Sequence, residues 1–156
     1  MLQQNAHDTE GRREVVSFKV ANQDFCIDIG VVREIRGWTP TTVLPHAQSY
    51  MKGVVNLRGS VVAVVDLSDR LGFGPTQPSP RHIIIIVMIG DQTIGLLADV
   101  VSDILTIDDS TMRLVPNIAS EVARDFISNV VTFDDGRMLR KIDLSRVLTD
   151  LGTESA

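Results

Sequence analysis

Apolar residues along this chain recur at the period of strands, in short runs broken by turn-forming residues. Val15–Val20 alternates with period near two, and Ala21-Asn22-Gln23-Asp24 supplies a turn. Phe25–Ile29 resumes with Phe25, Ile27 and Ile29 on one face, so a first hairpin is predicted. Val31–Arg36 continues apolar-rich and stops at Gly37. Trp38–Gln48 carries Pro40 and Pro45, which predict an extended loop without ladder pairing. In Gly53–Leu71, GVVNLRGSVVAVVDLSDRL, Val54-Val55 and Val61–Val65 flank the turn Asn56-Leu57-Arg58-Gly59. Valine favours extended backbone, and Gly59 can take the positive φ that closes a loop of three or four residues. A second hairpin follows, with Arg58 near its tip. Asp66 or Ser68 would cap a helical turn through Leu71.

Residues 72–80, GFGPTQPSP, read as a linker. Beyond it, His82–Ile89 reads as a buried strand, Gly90-Asp91-Gln92 as a turn, and Thr93–Leu97 as a strand. Ala98–Leu105 is apolar with Asp99 and Asp103 spaced between, Thr106–Asn117 is irregular, and Ile118–Arg124 suits one or two helical turns. Phe126–Phe133 and Arg137–Ile142 flank the hairpin signal Asp134-Asp135-Gly136. Asp143–Leu151 closes as a short helix with Gly152 as its stop.

The two halves superpose as sequences. At an offset of 69, Phe18 falls on Val87, Gln23 on Gln92, Phe25 on Ile94, Val31-Val32 on Val100-Val101, Glu34 on Asp103 and Ile35 on Ile104. At an offset of 77, Asp66-Leu67-Ser68 falls on Asp143-Leu144-Ser145, Leu71 on Leu148 and Gly59 on Gly136. Two hairpins, a strand between them and a closing helical turn thus occur twice. Five short strands suit a small closed barrel, which removes exposed edges. Barrels of about 70 residues have thin cores alone and are expected to share an apolar contact. The expected organisation is a disordered tail over 1–13 and one domain over 14–151. That domain divides into a subdomain over 14–71, the linker 72–80 and a subdomain over 81–151. Residues 152–156 form a C-terminal tail.

Composition narrows the function. Of 156 residues 44% are apolar and only 4% aromatic, and the formal net charge is −5. No Lys/Arg cluster is present, which argues against nucleic acid or an anionic membrane as partner. Cys26 is the sole cysteine, so no intrachain disulfide forms, as fits a reducing cytosol. The polar first residues lack a signal-peptide core, and the longest apolar run, Ile83–Ile89, is too short for a membrane helix. A soluble, cytoplasmic protein is expected.

Catalytic chemistry is not legible. Gly72-Phe73-Gly74 runs into prolines and opens no helix, so it cradles no phosphate. His7, His46 and His82 have no ligand spacing with Cys26, so no metal site is expected. The serines show no nucleophile-elbow pattern. Asp108-Asp109 and Asp134-Asp135 read as solvated turns. Cys26 points away from Phe25 and Ile27 and reads as a small packing residue towards the second barrel, and Trp38 as a loop anchor. No catalytic residue and no cofactor are expected.

Three segments carry a resemblance: FCIDIGVVREIRG (Phe25–Gly37), YMKGVVNLRGSVVAVVDL (Tyr50–Leu67) and IGLLADVVSDIL (Ile94–Leu105). Together, over about residues 14–150, the chain resembles the CheW family of bacterial chemotaxis scaffolds. The resemblance implies a mainly β fold of two five-stranded SH3-like β-barrels around a shared hydrophobic core, with short helices. It implies a non-catalytic adaptor that couples the cytoplasmic tip of membrane chemoreceptors to the CheW-like regulatory domain of the histidine kinase CheA. Such an adaptor is cytoplasmic, is recruited to receptor arrays without inserting into the membrane, and binds no nucleic acid. The receptor-facing groove would include Ile29, Val32, Glu34, Ile35, Arg58, Val101 and Ser102. Lys52, Gly53 and Leu57 would face the kinase. Ordinary core packing is the alternative for Ile29, Val32, Ile35 and Val101, and an internal salt bridge or plain solvation for Glu34 and Arg58. Arg140-Lys141 falls in the last strand, so one of the two is expected to point to solvent. Two other functions stay open: a CheW-like adaptor of a non-chemotactic pathway and a tandem-barrel nucleic-acid-binding protein.

Overall fold

The branched residues that dominate the chain form strands wherever turn chemistry releases them. In this computed structural model, which describes residues 11–114 and 125–148, the strands are β1 (Arg12–Val20), β2 (Gln23–Asp28), β3 (Val32–Gly37), β4 (Met51–Leu57), β5 (Ser60–Asp66) and β6 (Ile83–Ile89). They continue with β7 (Gln92–Ala98), β8 (Val100–Asp108), β9 (Met112–Leu114), β10 (Ile127–Thr132) and β11 (Met138–Ile142). Single 3-10 turns over Ile29–Val31 and Asp109–Thr111 precede β3 and β9, and the short helices α1 (Leu67–Arg70) and α2 (Leu144–Val147) close the two repeats. The turns expected over Ile118–Arg124, the C-terminal tail, and the helix end with its stop at Gly152 lie outside the described residues.

The strands build two sheets, ordered β8-β1-β2-β11-β10-β9 and β3-β6-β7-β5-β4. Under the sequence repeat β1 matches β6, β2 matches β7, β3 matches β8, β4 matches β10 and β5 matches β11. The five matched strands therefore occur in the same order in both sheets, and β9 is an addition to one. Each sheet takes its first hairpin from one repeat and its other three matched strands from the other. The junctions are parallel pairings, Arg140 to Phe25 between β11 and β2, and Ala63 to Ile94 between β5 and β7. This corrects the expectation that 14–71 and 81–151 each close a barrel. The repeat is real, but the halves exchange their first hairpins.

Alternation along the strands then fills three apolar regions. Phe18, Phe25, Ile85, Leu96, Ile127 and Leu144 join one cluster that draws on both sheets. The opposite faces form smaller clusters, Val15, Cys26, Ile107, Val131 and Leu139 in one barrel and Val62, Val64, Ile84, Ile86 and Leu97 in the other. Each fully buried large side chain in the shared cluster contributes about 2 kcal/mol. Cys26 points away from Phe25 and Ile27, among strands drawn mostly from the second half.

Local differences from the sequence reading have physical causes. Residues 12 and 13, expected in the tail, belong to β1, because Arg12 and Arg13 pair with Asp108 and Ile107 of β8 and Arg13 Nε bonds Asp109 at 2.8 Å. The irregular stretch from Thr106 is strand to Asp108, then a turn in which Asp108 accepts from the Ser110 N–H, then β9. The β4–β5 loop is two residues, since Leu57 pairs with Ser60. Arg58 and Gly59 both take positive φ, +52° and +87°, as a type I′ turn requires. The loop Thr39–Ala47 makes one β-bridge, Thr42 to Val54. Gly53 permits it, because a Cβ there would collide with the Thr42 carbonyl oxygen. Neither Arg140 nor Lys141 points freely to solvent: Arg140 lies over the Phe25 ring and the largely covered Lys141 ammonium pairs with Asp28 at 3.3 Å.

The linker is fixed to the barrels. Asp66, fully buried, caps α1 through the Ser68 N–H and accepts from the Thr76 N–H and hydroxyl at 2.7 Å each. Lys52 Nζ donates to the Thr76 carbonyl at 2.9 Å and lies 3.6 Å from Asp66. At the far end, His82 Nδ1 accepts from the Ser79 N–H, and its Nε2 lies 3.5 Å from Asp99. Across the repeats, the Arg70 guanidinium lies over both the Tyr50 and Phe126 rings and donates to the Val147 carbonyl.

Candidate docking site on the edge strand β3

β3 is an edge strand, and its two faces do different things. Cross-strand partners project to the same side of a sheet. Val32 pairs with Val87 and Ile35 with Ile85, both partners in the shared core, so this face turns to the seam between the barrels. Glu34 pairs with Ile86, which packs inside the first barrel, so Glu34 turns the other way. A register shift between Val32 and Glu34 sets this phase.

On its own face Glu34 meets the β4–β5 tip. Arg58 Nη1 donates to Glu34 Oε1 at 2.7 Å, and Arg36 Nη1 donates to Oε2 at 3.2 Å. β3 and β4 are opposite edges of the five-stranded sheet, so the Arg58–Glu34 pair closes the barrel across its open side. The turn is held for this purpose: Asn56 Oδ1 accepts from the Gly59 N–H, and Arg58 occupies left-handed backbone that costs a non-glycine residue about 1 kcal/mol. Hydrogen bonding from Arg58, helped by Arg36, holds the Glu34 carboxyl below the usual carboxylate range. Beside the pair lies an open cleft of about 670 Å³, lined among others by Arg33, Leu57, Val61 and Thr93. Val61 is 71% exposed there, and Ile35 is 43% exposed on the seam face of β3. The result is an ion pair flanked by unpartnered apolar side chains on a free strand edge, an arrangement suited to protein docking.

The remaining predicted site residues separate. Val32 and Val101 are partly buried and pack at the rim of the shared core, Val101 opposite Phe18 on β8, an edge strand of the six-stranded sheet. Ser102 is exposed on β8, and Ile29 lines a different depression with Arg12, Arg13 and Thr106. The seven residues expected in one groove thus lie on the edge strands β3 and β8, at the β4–β5 tip and in the turn before β3. Among the residues expected to face the kinase, Leu57 lines the Glu34–Arg58 cleft. Lys52 is engaged by Thr76 and Asp66, and Gly53 is buried under the Thr42 bridge, so both serve the fold. The sequence reading missed Arg36 and Val61. Arg36 stands two residues from Glu34, the spacing that shares a strand face, and that signal was available. Val61 was hidden in the run VVAVV, which gives no sign of which valine is outermost.

Burial pushes the Cys26 thiol up to about 12, so it stays protonated and unreactive at neutral pH. Among the described residues no group of three or more His, Cys, Asp or Glu is placed to hold a metal ion, and no helix is long and apolar enough to cross a membrane.

Two interlocked SH3-like barrels with a free strand edge at β3 define a tandem β-barrel domain. The chain belongs to the CheW-like domain family, whose pattern matches residues 14–152. It is 45% identical to the chemotaxis protein CheW of Rhizobium meliloti over 150 residues, covering 96% of each chain, and 43% identical to a probable chemotaxis protein CheW of Rhizobium etli, covering 94% of each. The crystal structure of the scaffolding protein TtCheW from Thermoanaerobacter tengcongensis matches with a TM-score of 0.79 at 29% identity, over 87% of this chain and 92% of that one.

Proposed function

We propose that this protein is a non-catalytic chemotaxis adaptor that couples transmembrane chemoreceptors to the histidine kinase CheA. The observation that carries the reading is the Glu34–Arg58 pair on the free edge of β3, beside the exposed Ile35 and Val61. The tip of a receptor's helical hairpin would lie along β3. Its apolar side would meet Ile35 and Val32, and its polar groups would meet Glu34 and Arg58. Val101 and Ser102 on β8 and Ile29 beside β1 are further contacts only for a partner that also spans the seam. Of the kinase-facing set, Leu57 lies at the rim of the same cleft and Lys52 is partly exposed, while Gly53 is buried. In this reading the protein is cytoplasmic and reaches the membrane through receptors.

The test is CheA autophosphorylation with receptor-containing membranes, with and without this protein. Marked stimulation that attractant suppresses supports the coupling role, and Arg58→Asp and Glu34→Lys should reduce it while their circular-dichroism spectra stay native. Binding to the kinase without stimulation would move the protein to an adaptor of another receptor pathway. Binding to neither partner would end the adaptor reading.

A further inference from the structure

The internal duplication supplies a comparison within one chain. At the repeat offsets, the exposed apolar residues of the β3 end recur: Ile35 falls on Ile104 and Val61 on Met138, which are 61% and 43% exposed. Both barrels therefore keep the same outward apolar pair on equivalent strands. The acid at Glu34 recurs, but the cations do not. Arg33 falls on Ser102, Glu34 on Asp103, Arg36 on Leu105 and Arg58 on Asp135.

At the β3 end three guanidiniums, Arg33, Arg36 and Arg58, stand with two carboxylates, Glu34 and Asp91. Glu34 holds Arg58 at 2.7 Å and Arg36 at 3.2 Å, and Arg33 donates to the Gly30 carbonyl. Asp91, at the β6–β7 turn, is the other acid lining this cleft. At the equivalent positions of the second barrel, Asp103 and Asp135 stand with Arg137, which bonds Asp135 at 3.0 Å. In a chain of net charge −5, the β3 end is a local excess of cations, and its counterpart has been inverted. What distinguishes the two ends is thus not apolar surface but the sign of charge around it.

We infer that the β3 end takes an acidic segment of its partner, with Arg36 meeting a partner carboxylate, and that the equivalent β8 end rejects the same segment, so one chain docks one such segment. Arg36 is the group for this role because Glu34 has two guanidinium partners and holds Arg36 at the longer distance. Arg36 can pivot to an incoming carboxylate while Arg58 keeps the barrel edge closed. The inference deepens the adaptor reading by naming the partner's charge.

The test is a backbone-amide NMR titration with two synthetic helical peptides sharing one apolar face, one with a glutamate rim and one with a lysine rim. The glutamate peptide should shift the amides of Arg33, Glu34, Arg36 and Arg58 and leave Asp103 and Asp135 in place. Its affinity should fall at least tenfold in Arg36→Glu, less in Arg36→Gln, and with rising salt. Equal shifts from the lysine peptide, equal response at Asp103 and Asp135, or no response to either peptide would overturn the inference. Co-sedimentation with receptor-containing membranes separates the two claims. A glutamate peptide bound at β3 without membrane binding removes the chemoreceptor and keeps the acidic partner. Membrane binding that Arg36→Glu leaves unchanged does the reverse.

Discussion

Replacing Asp66 by alanine should destabilise the fold several times more than the same change at Asp143, its repeat partner. Both carboxylates cap a four-residue helix through the N–H two residues on, at 3.1 Å. Losing a cap costs about 1 kcal/mol. Asp143 also accepts from the Ser145 hydroxyl at 2.6 Å and lies 3.9 Å from Arg146, but its carboxylate is partly exposed and water can replace both, so the cap dominates there. Asp66 is fully buried, and alanine there also strips the Thr76 N–H and hydroxyl of their acceptor and leaves Lys52 with only the Thr76 carbonyl. Hydrogen bonds to a charged group are worth about 1.5–3 kcal/mol each, and breaking a buried ion pair costs about 3–5 kcal/mol. Because Lys52 keeps one acceptor, the lower part of that range applies, and we expect about 3 kcal/mol. For a domain of this size m in urea is about 2 kcal/mol/M, so the midpoint should fall by about 1.5 M for Asp66→Ala and about 0.5 M for Asp143→Ala. Equal shifts in the two variants, at unchanged m, would refute the role given to the Asp66 network.

Four further outcomes are expected. Gly53→Ala should cost about 2–4 kcal/mol in thermal or urea unfolding, since its φ of +132° and the Thr42 carbonyl leave no room for a Cβ. Cys26 should resist a thiol reagent at neutral pH in the native protein and react only at the rate of unfolding, because it is buried and protonated. The Glu34 carboxyl, followed by NMR, should titrate below the ordinary range and move up in Arg58→Ala. Its folded pKa is lowered, so the pair's contribution is present above the unfolded value and lost as pH falls through the folded one. Residues 11–74 expressed alone should fail to give a folded β spectrum, and mixing with 75–156 should restore it, because each sheet needs strands from both pieces.

Strand existence was legible because it is written in local alternation: the face that carries Phe25 and Ile27 is the face that packs into the shared core. The first cap was legible only as Asp66 or Ser68, and the structure selects Asp66. Strand partnership was not legible. Val61–Val65 presents an apolar edge that would accept any extended neighbour, and nothing in its composition says that β7, rather than a strand of its own half, lies beside it in parallel. Register at β3 was equally silent, since the shift between Val32 and Glu34 decides which side chains face the seam and leaves no residue signature. The carried-over groove therefore contained residues that share a strand but not a face.

The exchange of hairpins explains why the β3 edge, with the strained turn at Arg58 beside it, can be stable. β3 hydrogen-bonds to β6, a strand of the other repeat, and Glu34 on it meets Arg58 of the β4–β5 tip across the open side of the barrel. Its seam face rests on the shared core, which draws on both repeats. Arg58 can hold left-handed backbone because the ladder from Met51 to Leu57 and the Asn56 side chain fix the turn on one side. On the other side Gly53 lets the Thr42 bridge brace β4. A partner pressing on β3 thus acts on an edge whose support comes from both repeats. Displacing it would disturb the common core rather than one barrel. That coupling gives one face of the protein a physical route to influence another.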